Sequence, residues 1–137
     1  MTDSPRIAHE LDRVMRKIDA QMHKRMPSVD TGRVGPMASL LLMELEDSAP
    51  CSIQALANAM GRDNSQLTRL IRDLEGKGLL TRNRSPKDGR ETILNLTPEG
   101  EAFLQSAKDM LTEVVDEVLG DLGAQDRQVL LSLLSRM

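Results

Sequence analysis

Residues 63–90 read DNSQLTRLIRDLEGKGLLTRNRSPKDGR, and this stretch decides the fold. Asp63 is a helix N-cap residue, and Gln66 three positions on completes a capping box. Leu67, Leu70, Ile71 and Leu74 then recur at helical spacing as one apolar stripe, until Gly76 and Gly78 stop the helix. On a wheel of about 100° per residue, Ser65, Arg69 and Arg72 point away from that stripe, with Gln66 and Thr68 beside them. Leu79 to Arg84 and Glu91 to Thr97 are rich in β-formers and flank a turn over Ser85 to Arg90 that contains an Asp-Gly step, so a β-hairpin follows the helix.

Immediately upstream, Ser52 reads as the N-cap of a short helix that holds Ile53, Leu56, Ala57 and Met60, and Gly61 lies just past its end. Two short helices joined by a tight glycine turn and followed by a hairpin with a basic tip make a winged helix-turn-helix. Further out, Pro36 opens a helix whose expected buried face is Met37, Leu40, Leu41, part of Met43, and Leu45, with a loop from Asp47 to Pro50. Ile7, Leu11, Val14, Ile18, Met22 and Met26 recur at steps of three and four as an amphipathic helix that Pro27 ends. Thr97 caps a long helix with Pro98 in its first position, and Phe103, Ala107, Met110, Leu111, Val114, Val115, Val118 and Leu122 share one broad face. A break at Gly120 and Gly123 precedes a last helix with Val129, Leu130, Leu133, Leu134 and Met137. The predicted fold is mainly α with a small β-hairpin wing. One domain spans 1–137, with the winged helix-turn-helix over 36–98 and flanking helices over 1–30 and 100–137.

Charge says which part faces a polyanion. The chain as a whole carries −3, from 18 basic and 21 acidic residues. Within 62–90, however, Arg62, Arg69, Arg72, Lys77, Arg82, Arg84, Lys87 and Arg90 stand against Asp63, Asp73, Glu75 and Asp88, a net of +4. The acidic excess lies in 91–137, where three basic side chains meet nine acidic ones. A basic stripe on an acidic body is the footprint of a local nucleic-acid contact. Ser65, Gln66, Thr68, Arg69 and Arg72 offer hydroxyl, amide and guanidinium groups suited to base edges and phosphates in a major groove. Arg82, Arg84, Lys87 and Arg90 put positive charge on the hairpin, whose tip can reach the minor groove, with Asp88 folded back onto the Arg90 stem or the turn backbone.

Composition removes other classes. Phe103 is the one aromatic residue, so base stacking on aromatic faces, the device of single-strand and RNA-sheet binders, is not available. The longest mostly apolar run, Met37 to Met43, is far short of the ~20 residues a membrane helix needs. The first ten residues lack a signal-peptide pattern, and a cytoplasmic protein is expected. Cys51 is the sole cysteine, which excludes an intrachain disulfide and a cysteine zinc site.

The run Ile53 to Met60, the run Leu67 to Arg82 with its Leu-Glu-x-Lys-Gly-Leu segment, Asp88-Gly89-Arg90 and Leu96-Thr97-Pro98-Glu99-Gly100 together resemble the MarR family of bacterial regulators. The element order extends the likeness over nearly the whole chain. The resemblance implies a homodimer in which the first helix and the last two form the dimerisation layer. It also implies binding of a pseudo-palindromic duplex operator, with release by a small-molecule effector or by thiol oxidation. By position, Ser65, Gln66, Thr68 and Arg69 match the DNA-facing part of the recognition helix, and Arg90 matches the wing arginine. Gly89 stands where the family often carries arginine, which implies fewer wing phosphate contacts.

Met22, Met26 and Met37 are candidates for an adaptable effector pocket, since methionine tolerates varied ligands, although plain core packing explains them as well. His9 and His23 lie fourteen residues apart on one helix, about 21 Å, too far to share an ion, and neither a metal nor a cofactor is expected. Cys51 has no neighbouring cation in the sequence to lower its pKa and reads as a buried rather than a sensing thiol. An enzyme is not expected: no nucleophile-base pairing and no phosphate-cradling glycine loop is present. The rival to a DNA-binding repressor is a winged-helix module that docks on protein.

Overall fold

The computed structural model describes residues 2–25, 36–87 and 89–137. Its elements in order are α1 (Ser4–Arg25), α2 (Pro36–Ser48), β1 (Cys51–Ser52), α3 (Ile53–Met60), α4 (Asn64–Gly76), β2 (Leu80–Arg84), β3 (Thr92–Leu96), α5 (Pro98–Val118) and α6 (Ala124–Ser135). The chain is mainly helical with a small antiparallel sheet. Contacts divide it into two compact units, residues 31–108 and residues 1–30 with 109–137. Met26, Pro27 and Asp88 lie outside the described residues.

In the 31–108 unit the expected hairpin is present, with Leu80 opposite Leu96, Arg82 opposite Leu94 and Arg84 opposite Thr92. The sheet also has a third strand beyond the expected hairpin: Cys51 and Ser52 pair with Leu94 and Ile93, so β3 is the middle of the sheet. A two-residue strand has no periodicity to read, and Ser52 doubles as the helix cap, which masks it. Ala38, Leu41, Leu42, Leu45, Leu56, Leu67, Ile71, Leu74, Leu80, Leu94 and Leu104 close the core of this unit, each nearly or fully buried. Two expectations are corrected. On α2 it is Leu42 that is buried, while Leu40 is 53% exposed. On α5 the buried anchor is Leu104 rather than its half-buried neighbour Phe103.

The start of α5 is fastened to the segment that links α4 to β2. Thr97 Oγ1 donates to Gly78 O and accepts from Gly100 N, at 2.6 and 2.9 Å, and Thr97 N donates to Leu79 O. A Cβ on Gly100 would stand 1.9 Å from Leu79 O, so only glycine allows this approach. That contact is the physical reason for the Leu-Thr-x-x-Gly pattern. Lys108 Nζ also donates to Glu46, which ties α5 to α2.

The second unit buries much less. Neither α1 nor α6 contains a buried residue. Met110 and Val114 of α5 are its buried side chains, and Ile7, Leu11, Met15, Val129 and Leu131 are all more than half exposed. Arg25 Nη1 donates to Glu113 at 2.9 Å and Nη2 to Glu117, which ties the end of α1 to α5. Arg127 closes the turn after α5. Its guanidinium donates to Leu119 O and Leu122 O in the turn and to Asp116 O and Oδ1 in the last turn of the helix.

Candidate nucleic-acid interface

The helix-turn-helix is built by local chemistry. Ser52 Oγ accepts from Ala55 N at 3.0 Å and starts α3. Gly61 ends it in the left-handed region at φ 61°, a conformation that favours glycine. Asp63 starts α4, but its carboxylate accepts from Ser65 N and Ser65 Oγ. The cap therefore closes on Ser65 and not through the expected box with Gln66. These Ser65 bonds hold the Asp63 carboxyl below the usual aspartate range. Asn64 Nδ2 donates to Gln54 Oε1, and Gln54 Nε2 donates to Asn58 Oδ1, so a side-chain chain across the turn fixes α3 against the first residue of α4. Sequence spacing did not single out this brace, because its members are ordinary exposed polar residues.

Leu67, Ile71 and Leu74 are buried, and the opposite face of α4 is open. Ser65, Gln66, Arg69 and Arg72 are exposed there and Thr68 is half-buried, as the wheel expects. Their hydrogen-bonding states differ. Ser65 donates its proton to Asp63, and Thr68 Oγ1 donates to Asn64 O at 2.7 Å, so both hydroxyls face outward chiefly as acceptors. The side chains of Gln66, Arg69 and Arg72 have no hydrogen-bond or ion-pair partner among the described residues. These three keep their donors available to a ligand. Arg62, in the turn, is exposed as well and lines a cavity of about 230 Å³ with Met37, Gln66, Leu67 and Leu70.

On the wing, Arg84, Lys87 and Arg90 are all exposed. The loop is shaped by Ser85 N donating to Glu91 O and Lys87 N donating to Ser85 Oγ. Arg82 differs from them and from expectation. Its Nε and Nη2 both lie 3.0 Å from Glu75 Oε1, so the guanidinium is paired inside the winged unit instead of standing open to a phosphate. The reason is strand alternation: Arg82 shares a face of β2 with the buried Leu80.

Of the methionine candidates, Met22 belongs to the unit of α1, Met37 lines the cavity of about 230 Å³ in the winged unit, and Met26 lies outside the described residues. Cys51 is buried on β1, and burial, then the nearby Glu44, raises its thiol pKa. His9 is exposed, and His23 contacts Asp19 of its own helix. Among the described residues no cluster of three potential metal ligands occurs, and no helix is long and apolar enough to cross a membrane.

A sequence model of the MarR family matches residues 38–92. The chain is 30% identical to the uncharacterised HTH-type transcriptional regulator YxaD of Bacillus subtilis (strain 168) over 78% of this chain and 75% of that protein. It is 31% identical to a second B. subtilis regulator, YdgJ, over 71% of this chain, and spans 57% of that protein's length. Among solved structures, wild-type apo MarR from E. coli superposes with a TM-score of 0.82 at 22% identity, covering 99% of this chain and 96% of that one. The transcriptional repressor CouR, solved bound to a 23-mer DNA duplex, superposes with a TM-score of 0.77 at 28% identity, covering 94% of this chain and 89% of that one.

Proposed function

The chain belongs to the MarR family of transcriptional regulators, which are not enzymes, and from that premise we propose that it is a homodimeric repressor of duplex DNA relieved by a small-molecule effector. The observation that carries DNA binding is the unpartnered set Gln66, Arg69 and Arg72 on the open face of α4, next in sequence to a wing that exposes Arg84, Lys87 and Arg90. The α4 groups enter a major groove and read base edges and phosphates, with Ser65 and Thr68 as acceptors. The wing arginines and lysine supply phosphate and minor-groove contacts. CouR, of the same fold, binds a duplex, which supports the assignment. A two-fold axis would set half-sites ~34–36 Å apart, and the exposed apolar faces of α1 and α6 supply a surface for that axis. An effector would weaken DNA binding by its preference for the protomer arrangement that does not fit both half-sites.

The test is affinity for duplexes that the protein enriches from a random-sequence pool, measured over a salt series. Arg69→Ala should weaken binding about tenfold and relax sequence preference, and Lys87→Ala should reduce the salt slope by about one without changing preference. Enrichment of no sequence, with weak and salt-insensitive retention on DNA, would instead support the protein-docking module.

A further inference from the structure

We infer that Arg82 is a positioning residue: clamped on Glu75, it fixes the angle of the wing against the recognition helix and makes no phosphate contact of its own. The inference rests on the reading that α4 and the wing bind duplex DNA together.

Three observations carry it. The first is geometry. Glu75 occupies the last turn of α4, and Arg82 is the middle residue of β2, paired across the sheet with the fully buried Leu94. Both Nε and Nη2 of Arg82 reach one oxygen of Glu75 at 3.0 Å, a fork that resists rotation more than a single contact does. The second is burial. The Arg82 and Glu75 side chains are 33% and 35% exposed, whereas Arg69, Arg72 and Arg84 are exposed and unpartnered among the described residues. A pair partly withdrawn from water is screened less than a surface pair and holds its geometry better. The third is the short connection. Only residues 77–79 separate α4 from β2, and Gly78 passes through them at φ 76°, so the angle between helix and strand turns on a short segment that Thr97 and the Glu75 clamp secure from two sides. A wing set at a fixed angle presents Arg84, Lys87 and Arg90 to the backbone of the same duplex that α4 reads.

The charge of Glu75 makes the idea decidable by sign. A carboxylate in a DNA-facing head repels phosphate, so removing it should tighten binding if electrostatics alone matter. Clamping predicts the reverse. With the duplex that the wild-type protein enriches from a random pool, Glu75→Gln and Arg82→Met should each weaken binding by a similar factor, roughly tenfold, the scale of one charge-assisted pair. The double variant should be no weaker than either single one, and the salt slope should stay at the wild-type value, because no phosphate contact has been removed. Exchange of the charges, Glu75→Arg with Arg82→Glu, should recover part of the loss. All variants are compared at a temperature where their far-UV spectra and melting curves show them folded, so that loss of fold is not read as loss of the clamp. The inference is overturned if Glu75→Gln binds as tightly as wild type or tighter while Arg82→Met lowers the salt slope by about one; Arg82 is then a phosphate contact. Failure of the wild-type protein itself to enrich or bind any duplex would refute the DNA-binding reading instead, and the two failures are distinct.

Discussion

The two compact units hide their apolar side chains to very different degrees. In the unit of residues 31–108, fourteen apolar residues from Ala38 to Leu104 are buried, and side chains cap the starts of α3 and α4. In the unit of α1, α6 and the second half of α5, two helices have no buried residue at all. An apolar recess of about 720 Å³ there is lined by Ile7, Leu11, Val14, Val115, Leu122 and Leu130 among others. The first unit has a finished core and leaves guanidinium and amide donors unpartnered; the second leaves apolar surface unpartnered. Unsatisfied donors suit a polyanion, and an unsatisfied apolar face of this extent suits another apolar face. The proposed division of labour, recognition in one unit and assembly in the other, rests on this contrast.

The largest expected effect comes from forcing the finished core apart. Gly100→Ala places a methyl group where Leu79 O already is, and the backbone of α5 must move to accept it. A loss of about 4 kcal/mol or more is expected, in the range that marks a specific structural insult, read as a fall in the urea midpoint. A loss below about 1 kcal/mol would mean that the close approach is easily relaxed. Next comes a matched pair of leucines. Leu41→Ala, in the winged core and fully buried, should cost about 3 kcal/mol irrespective of protein concentration. Leu11→Ala, 52% exposed in the single chain, should act through association, lowering the melting temperature by an amount that depends on protein concentration and shifting the sedimentation equilibrium toward monomer. A concentration-independent loss for Leu11→Ala would remove the distinction drawn between the units. A smaller effect is expected at the cap of α3, where Ser52→Ala removes the acceptor for Ala55 N and should cost about 1 kcal/mol by the same urea titration.

The sequence made the winged unit legible where its signals are local and discrete. Ser52, Gly61, Asp63, Gly78, Thr97 and Pro98 mark starts and stops, and each stands where a cap or a turn was expected. The open face of α4 followed from four apolar positions on its other side. Reading failed where the signal has no phase or spans space instead of sequence. The run Leu40-Leu41-Leu42-Met43 is apolar all round, so periodicity could not tell that Leu42 faces the core and Leu40 does not. Phe103 and Leu104 are adjacent, and size favoured the wrong one. The Glu75–Arg82 clamp joins a helix to a strand across seven residues, outside the i,i+3 and i,i+4 rules that find ion pairs within helices. Strand alternation held the missing information, since Arg82 lies two residues beyond the buried Leu80. Arg127 was likewise invisible as a cap, because all but one of its acceptors are main-chain carbonyls that carry no sequence identity.

The finest comparison between the units is of two exposed carboxylates whose pKa values both lie below the ordinary level, for different reasons. Glu10 on α1 is lowered by the hydrogen bond from Arg13 and then by the Coulomb attraction of that same guanidinium. Asp63 at the start of α4 is lowered by the hydrogen bonds from the Ser65 hydroxyl and backbone N–H, with no cation among the causes. For each group the folded pKa is below the unfolded one. The associated stability is therefore complete above the unfolded carboxylate pKa and is lost as pH falls through the depressed folded value. Salt should separate them. In about 1 M salt, where the screening length is ~3 Å, part of the Glu10 depression should vanish, while Asp63 should titrate as it does at low salt. Carboxyl carbon shifts followed by NMR across the acid range at both salt concentrations measure this directly. Asp63→Asn is the control: asparagine caps a helix about as well and does not titrate, so α4 amide protection should then lose its dependence on acid pH. If Asp63 moved with salt as Glu10 does, the neighbouring Arg62, which is not among the causes of its lowered pKa, would have to act on its carboxylate. The cap would then be partly an electrostatic device that a bound phosphate could perturb, and the separation between a locally satisfied α4 and an ion-paired α1 would fail at its first residue.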